Sequence, residues 1–348
     1  MNHAQIWWRQ VGSSLRLCQA VVHRACAETS FVLYLPRSLP WQDEFYDIMK
    51  DRLSSLRGDR TVNFLDCTGE DPGRQVLQEL CAEDVRTRYW PGQSYADYLG
   101  GQTDITLNQM YVWVRGIRTA GQLESWRTFA ARYDGAARAA GGLHALFLLE
   151  YRTDHPRADG GVVYTPSGAD CQVFCLEAAA LQPCPSADYL ACLAQSVSGG
   201  DPELSGALIR QGDPFLQEPE ACARRLLDGG CSDSGQPFAP AGDETLHLRV
   251  WRAQIMVLFA RVEEKRLEYI RANLDRLSGW MPVQAENGAL IRDPWDLEFG
   301  NLFFLTRRGD TDFTRQETEM IRLCRDVRNL LAHNELVPYD KVSLLLSE

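Results

Sequence analysis

The sequence predicts an α/β domain built on a mostly parallel sheet, followed by an all-α helical bundle. Over residues 1–180, short apolar runs rich in strand formers alternate with amphipathic helical segments, the rhythm of a sheet buried on both faces. From Thr245 onward, apolar residues recur instead at helical spacing. A chain of 348 residues is about twice a typical domain, so two cores are the default.

Taken in order, Ile6, Val11, Leu15, Leu17, Val21 and Val22 predict an amphipathic helix over residues 4–27, broken near Gly12. Phe31 to Leu35 is the first strand, and a helix from Asp43 to Leu56 follows. Val62 to Asp66 is the second strand, with a helix from Arg74 to Cys81 after it. Met110 to Val114 is the third, followed by a helix from Ala120 to Ala139, and Leu143 to Tyr151 is the fourth. Gln172 to Leu176, with Val162 to Tyr164 before it, supplies a fifth, so Cys171 and Cys175 fall on one face of a strand. The order of the strands does not follow from spacing. Residues 181–245 read as short helices (Ala187 to Gln195, Pro202 to Ile209, Pro219 to Leu227) ending in a linker, Ser232 to Asp243. The expected domains are therefore 1–180, the mixed segment 181–245, and a helical domain over 246–348. In the last of these, one long helix spans Leu248 to Leu277 and another Trp295 to Leu305. Thr314 and Glu317 form a capping box that starts a final long helix, stopped before Pro338.

Charge and composition narrow the function classes. The net charge is -11, and from Leu246 onward fifteen Lys plus Arg face sixteen Asp plus Glu, so the first 245 residues carry -10. That balance excludes a constitutive nucleic-acid coat, which rests on phosphate neutralisation. It points to a protein partner on an acidic N-terminal domain, with Trp7, Trp8, Trp41 and Trp90 as candidate surface aromatics. The longest apolar run, Leu143 to Leu149, is strand-sized, and the N-terminus has no signal-peptide pattern, so a cytoplasmic protein without a membrane span is expected. Eleven cysteines in odd number with no C-x-x-C pair read as reduced thiols, and no metal is expected.

The strand-helix rhythm resembles the core of a P-loop or AAA-type NTPase. Such a core needs a glycine-rich turn after its first strand and a lysine reaching the terminal phosphates. Here that turn is Pro36-Arg37-Ser38-Leu39-Pro40-Trp41, and the lysines of the chain, Lys50, Lys265 and Lys341, lie elsewhere. The third strand leads into Arg115 where an acidic metal ligand is needed, and Asp66 stands alone. The expectation is an NTPase-like layout without nucleotide hydrolysis, and no cofactor.

The chemistry-bearing stretch is Arg328-Asn329-Leu330-Leu331-Ala332-His333-Asn334. Projected at 100° per residue, Met320, Leu323, Cys324, Val327, Leu330 and Leu331 form one apolar stripe. Asn329 and His333 share the opposite face, with Arg322 and Arg325 on or near it. Arg328 lies about 140° from His333, so on one helix the two side chains diverge, and a two-fold pair of helices brings them together. Arg328-Asn329, three residues, then His333, at the end of the last long helix of a helical domain, resembles the R-x4-H motif of HEPN domains. The polar residue after the arginine is the form found in HEPN ribonucleases, and the resemblance covers residues 246–348.

The resemblance implies a homodimeric, metal-independent endoribonuclease of antiphage defence or toxin type, leaving 2′,3′-cyclic phosphate and 5′-hydroxyl ends on RNA. His333 would be general base or acid, a role suited to imidazole. Arg328 would stabilise phosphate charge, and Asn329 would orient the histidine or phosphate. Arg325 and, from a neighbouring helix, Glu298 would support them. HEPN domains also include non-catalytic members that dimerise or bind, which implies an adaptor subunit as the alternative. The residues themselves are open to a structural reading as well, in which Arg328 pairs with Glu263, Glu264 or Glu298 and His333 caps the helix.

Overall fold

A computed structural model of the chain describes residues 1–156, 159–184, 186–285, 288–308 and 311–347. It separates into two units, residues 1–170 and 171–348. The first runs α1 (His3–Gln10), α2 (Gly12–Cys26), β1 (Phe31–Leu35), α3 (Gln42–Leu56), β2 (Thr61–Asp66), α4 (Pro72–Leu80), α5 (Glu83–Arg88), α6 (Tyr95–Gly100), β3 (Met110–Ile117), α7 (Ala120–Ala140), β4 (Leu146–Arg152) and β5 (Val162–Val163). Among the described residues its strands form one sheet of order β2-β3-β4-β1-β5, with every neighbouring pair parallel.

Every residue of β1 is buried, as a strand covered on both faces requires. Side chains alternate between the two layers. Val32, Tyr34, Val112, Val114, Phe147 and Leu149 join the core formed with α4, α6 and α7. On the other face Trp113 meets Phe45 and Tyr46 of α3, with ring centroids 5.7 Å apart in each case. The predicted break of the first helix falls at Val11, whose backbone is extended between α1 and α2. Trp7, Trp8 and Trp41 are buried in this layer, while Trp90 is exposed, so three of the four candidate surface tryptophans are core residues.

The second unit runs α8 (Gly168–Ala180), α9 (Ala187–Ser198), α10 (Pro202–Ile209), α11 (Asp213–Gln217), α12 (Pro219–Gly229), α13 (Asp243–Gln254), a π-helical turn (Ile255–Phe259), α14 (Ala260–Ala272), α15 (Leu274–Gly279), the hairpin β6 (Val283–Gln284) and β7 (Leu290–Ile291), α16 (Phe299–Leu305), α17 (Arg315–Ala332) and α18 (Tyr339–Ser347). Gln172 to Leu176 is therefore helical, not a fifth strand. Cys171, Phe174, Cys175, Ala178 and Ala179 are buried at helical spacing along α8, and Val162–Val163 alone supplies β5. The long helix expected over 248–277 is interrupted by the π turn and again at Asn273.

Residues 181–245 do not stand apart from the helical unit. α9 packs on α10 and α13, and α12 packs on α13. The expected linker narrows to a short turn in which Cys231 and Pro237 form an isolated bridge. This changes the charge map as well. Residues 1–170 hold eighteen Lys plus Arg against twenty Asp plus Glu, whereas residues 171–245 hold three against eleven. The acidity expected of the α/β domain thus belongs mainly to residues 171–245, from α8 to the first turn of α13. All eleven cysteines are free thiols. Among the described residues no helix is long and apolar enough to cross a membrane, and no group of three or more His, Cys, Asp or Glu side chains is placed to hold a metal ion.

Candidate functional site

The carboxyl edge of a parallel sheet is where an α/β unit places ligands. Here that edge is occupied by the chain's own side chains. The turn after β1 carries Leu39, Pro40 and Trp41 inward, and the Trp8 indole N–H donates to the carbonyls of Pro40 at 2.9 Å and Trp41 at 3.1 Å. Trp41 takes a left-handed backbone, with φ of 44°, to begin α3, and Asp43 and Glu44 occupy the first helical turn, where they repel an anion. At the end of β4 the Glu150 side chain is 3% exposed. It accepts from the Trp113 indole at 2.9 Å, the Tyr46 hydroxyl at 3.0 Å and Arg152 Nε at 2.6 Å. Burial, reinforced by the Glu150 charge, pushes the Tyr46 phenol up. Asp66 is bound by Arg115 through two contacts of 3.0 Å, and that guanidinium lies over the Phe64 ring. Both the phosphate-loop position and Asp66 are thus committed to internal bonds.

The second constellation is built on α17. Thr314 and Glu317 form the predicted capping box, with Glu317 N–H donating to Thr314 Oγ1 at 3.2 Å and Thr314 N–H to the Glu317 carboxylate at 2.7 Å. Burial alone would raise the Glu317 carboxyl, but donors from Arg276, Thr314 and Tyr269 hold it down to about 2. Ile321, Cys324, Val327 and Leu331 are the buried residues of the helix, with Met320, Leu323 and Leu330 flanking them half-buried. The apolar stripe is thus rotated slightly from its projection, which omitted Ile321.

Arg322, Asn329 and His333 are exposed, so the shared face of Asn329 and His333 opens to solvent. Arg328 lies to one side with its guanidinium 2.6 Å from Glu298, the residue before α16, at side-chain exposures of 37% and 51%. Glu263 and Glu264 instead pair with Arg266 and Arg261. Arg325 is stacked 3.6 Å above the Phe303 ring centroid and bonded to Asp326 at 2.7 Å, and Lys341 reaches the same carboxylate at 3.1 Å. Of the predicted set, the fold joins Arg328 with Glu298, leaves Asn329 and His333 together on the open face, and turns Arg325 to a packing role.

The turn that ends α17 has a tight backbone pattern. His333 is the C-cap, Asn334 is left-handed with φ of 57°, and the N–H groups of Asn334 and Glu335 reach the carbonyls of Leu331 and Leu330. The sequence reading missed two side chains of α13 that hold this turn. Trp251 donates to the Leu331 carbonyl at 2.9 Å. His247 lies between the Asn334 carbonyl at 2.9 Å and the Glu220 carboxylate at 3.1 Å. Both partners are acceptors, so the ring serves both only when it carries two N–H groups. The Asn334 carbonyl first, and then Glu220, accordingly raise its pKa. The spacing of His247 and Trp251, one helical turn apart on an amphipathic helix, was the available signal.

Chemically, the open face presents an amide and an imidazole, and the neighbouring face a guanidinium in a surface ion pair with Glu298. Comparison with protein-family models gives no match, and comparison with curated proteins gives none either.

Proposed function

We propose that the chain is a cytoplasmic, metal-independent endoribonuclease of the HEPN type, acting in antiphage defence or as a toxin. The observation that carries this reading is the C-terminal turn of α17, where Asn329 and His333 lie on one exposed face and Arg328 stands on the adjacent face, with Glu298 as its one ion-pair partner among the described residues. His333 is the general base or acid at the 2′-hydroxyl or leaving oxygen, and Arg328 stabilises charge on the phosphate. Since the two diverge on one helix, the site is completed by a second copy across a two-fold axis. The α/β unit has the NTPase-like layout without its chemistry: the closed turn after β1 supports a scaffold role. The acidic surface for a protein partner is then the α8–α12 segment.

The test is incubation of purified protein with mixed tRNA and mRNA in EDTA. Cleavage should yield 2′,3′-cyclic phosphate and 5′-hydroxyl ends, and Arg328→Ala and His333→Ala should each lower the rate by roughly 100-fold or more. A strict monomer in solution, or cleavage that survives both substitutions, refutes the site as drawn. A non-catalytic adaptor is the second reading. The Arg328–Glu298 pair favours it, because the residue needed at the phosphate already has a carboxylate partner.

A further inference from the structure

The α/β unit contains a cationic cavity away from the carboxyl edge of its sheet. Its volume is about 270 Å³. One wall is a stripe of α7 that places Arg127, Ala130, Ala131, Asp134 and Arg138 on one side of the helix. The opposite wall is the loop Asp159–Gly161, bedded so closely on β1 that a Cβ on Gly161 would lie 2.7 Å from the Tyr34 ring. Val32 and Leu149 form the floor, and Arg24, in the last turn of α2, stands at one end.

The charges in this cavity are unequally committed. Asp159 receives the Tyr34 hydroxyl, the Arg127 guanidinium and the Gly161 N–H. Asp134 receives the Ser30 N–H and hydroxyl, both at 2.9 Å. Both carboxylates are thereby supplied with donors from the protein. Arg24, exposed, spends one donor on the Gly160 carbonyl at 3.0 Å, and Arg138, also exposed, acts on Asp134 one turn away through its charge, without a hydrogen bond or salt bridge among the described residues. Two guanidinium groups with most of their planar donors unspent therefore border a concave site with an apolar floor. That is the donor set for a phosphate dianion. The other large cleft of this unit is the opposite case: Glu70, Asp71 and Glu124 line it, and its one arginine, Arg132, is already paired with Asp97.

Size sets the rest of the ligand. At about 30 Å³ per water, the cavity holds roughly nine waters, far more than one phosphate displaces. We infer that this cavity binds a phosphate monoester with an organic body of about nucleoside size, its phosphate held by Arg24 and Arg138 and its body lying on Val32 and Leu149. The inference is independent of the ribonuclease reading, since none of these residues lies in the helical unit.

Calorimetric titration of the full chain with AMP, adenosine and inorganic phosphate tests it. AMP should bind more tightly than either fragment. Arg138→Ala and Arg24→Ala should each weaken AMP roughly tenfold or more, the scale of a charged hydrogen bond. Ala131→Trp, which fills the cavity from an exposed position, should abolish binding, and Arg132→Ala should leave it unchanged. Absence of AMP binding overturns the inference. So does equal binding of adenosine or of inorganic phosphate, or affinity that survives both arginine substitutions.

Discussion

Glu298→Gln separates a competing ion pair from a supporting one. The Arg328–Glu298 contact is short, at 2.6 Å, but its side chains are 37% and 51% exposed, so solvent screening limits it to about 0.2–1 kcal/mol. Glutamine is nearly isosteric, and the backbone N–H of residue 298 still donates to Asn301 Oδ1 to start α16. Global stability should therefore change by less than about 1 kcal/mol. If Arg328 must leave Glu298 to reach a phosphate, that same energy is returned to RNA binding. Cleavage at sub-saturating RNA should then rise by up to about fivefold, the factor that corresponds to roughly 1 kcal/mol. The gain should shrink at high salt, where the pair is already screened, and should vanish in the Glu298→Gln, Arg328→Ala double variant. The assay is initial-rate cleavage of a labelled RNA at low and high salt, beside urea unfolding of each variant. An unchanged or lower rate at low salt, with folding intact, refutes the competition and makes Glu298 a supporting residue or an irrelevant one.

Trp8→Ala should destabilise the α/β unit by about 3–5 kcal/mol through the cavity it leaves, and Trp8→Phe by about 1–3 kcal/mol through the loss of two bonds to the turn after β1. Urea unfolding measures both, and a Phe variant within about 0.5 kcal/mol of wild type would show that the indole bonds do not hold the turn. His247 gives a pH signature. Its folded pKa is raised above the ordinary 6.5, so its contribution is fully present below 6.5 and is lost as pH rises through the folded value. At an exposure of 35% the effect should be under about 1 kcal/mol after screening. It should appear as a fall in wild-type thermal midpoint with rising pH that His247→Ala lacks; an identical pH profile in the variant removes the clamp.

The strands of the α/β unit were legible because each is an apolar run bounded by helical periodicity, and β1 to β4 lie where those runs are. Their order was not, because Leu33 pairs with Glu150 on one side and Val162 on the other through contacts more than a hundred residues apart in the chain. Gln172 to Leu176 misled for a definite reason. Five residues cannot separate a buried helix from a strand, and the helical period of α8 emerges only when Phe174 is read with Cys171, Cys175, Ala178 and Ala179. The tryptophans misled because burying an indole depends on finding an acceptor for its N–H. The acceptors of Trp8 are carbonyls more than thirty residues away.

The same distinction runs through the α17 site. Arg328, Asn329 and His333 lie within six residues of one helix, so periodicity alone placed Asn329 beside His333 and Arg328 away from both. What acts on them comes from a distance: Glu298 arrives ahead of α16, and His247 and Trp251 reach back from α13 across 87 and 80 residues. Those long-range partners, more than the motif, fix the two mechanical facts any function must use. The turn bearing His333 is clamped through its carbonyls, while Arg328 is held, among the described residues, by one screened ion pair. The clamp fixes the backbone at His333, whose side chain is exposed, and Arg328 diverges from it on the adjacent face.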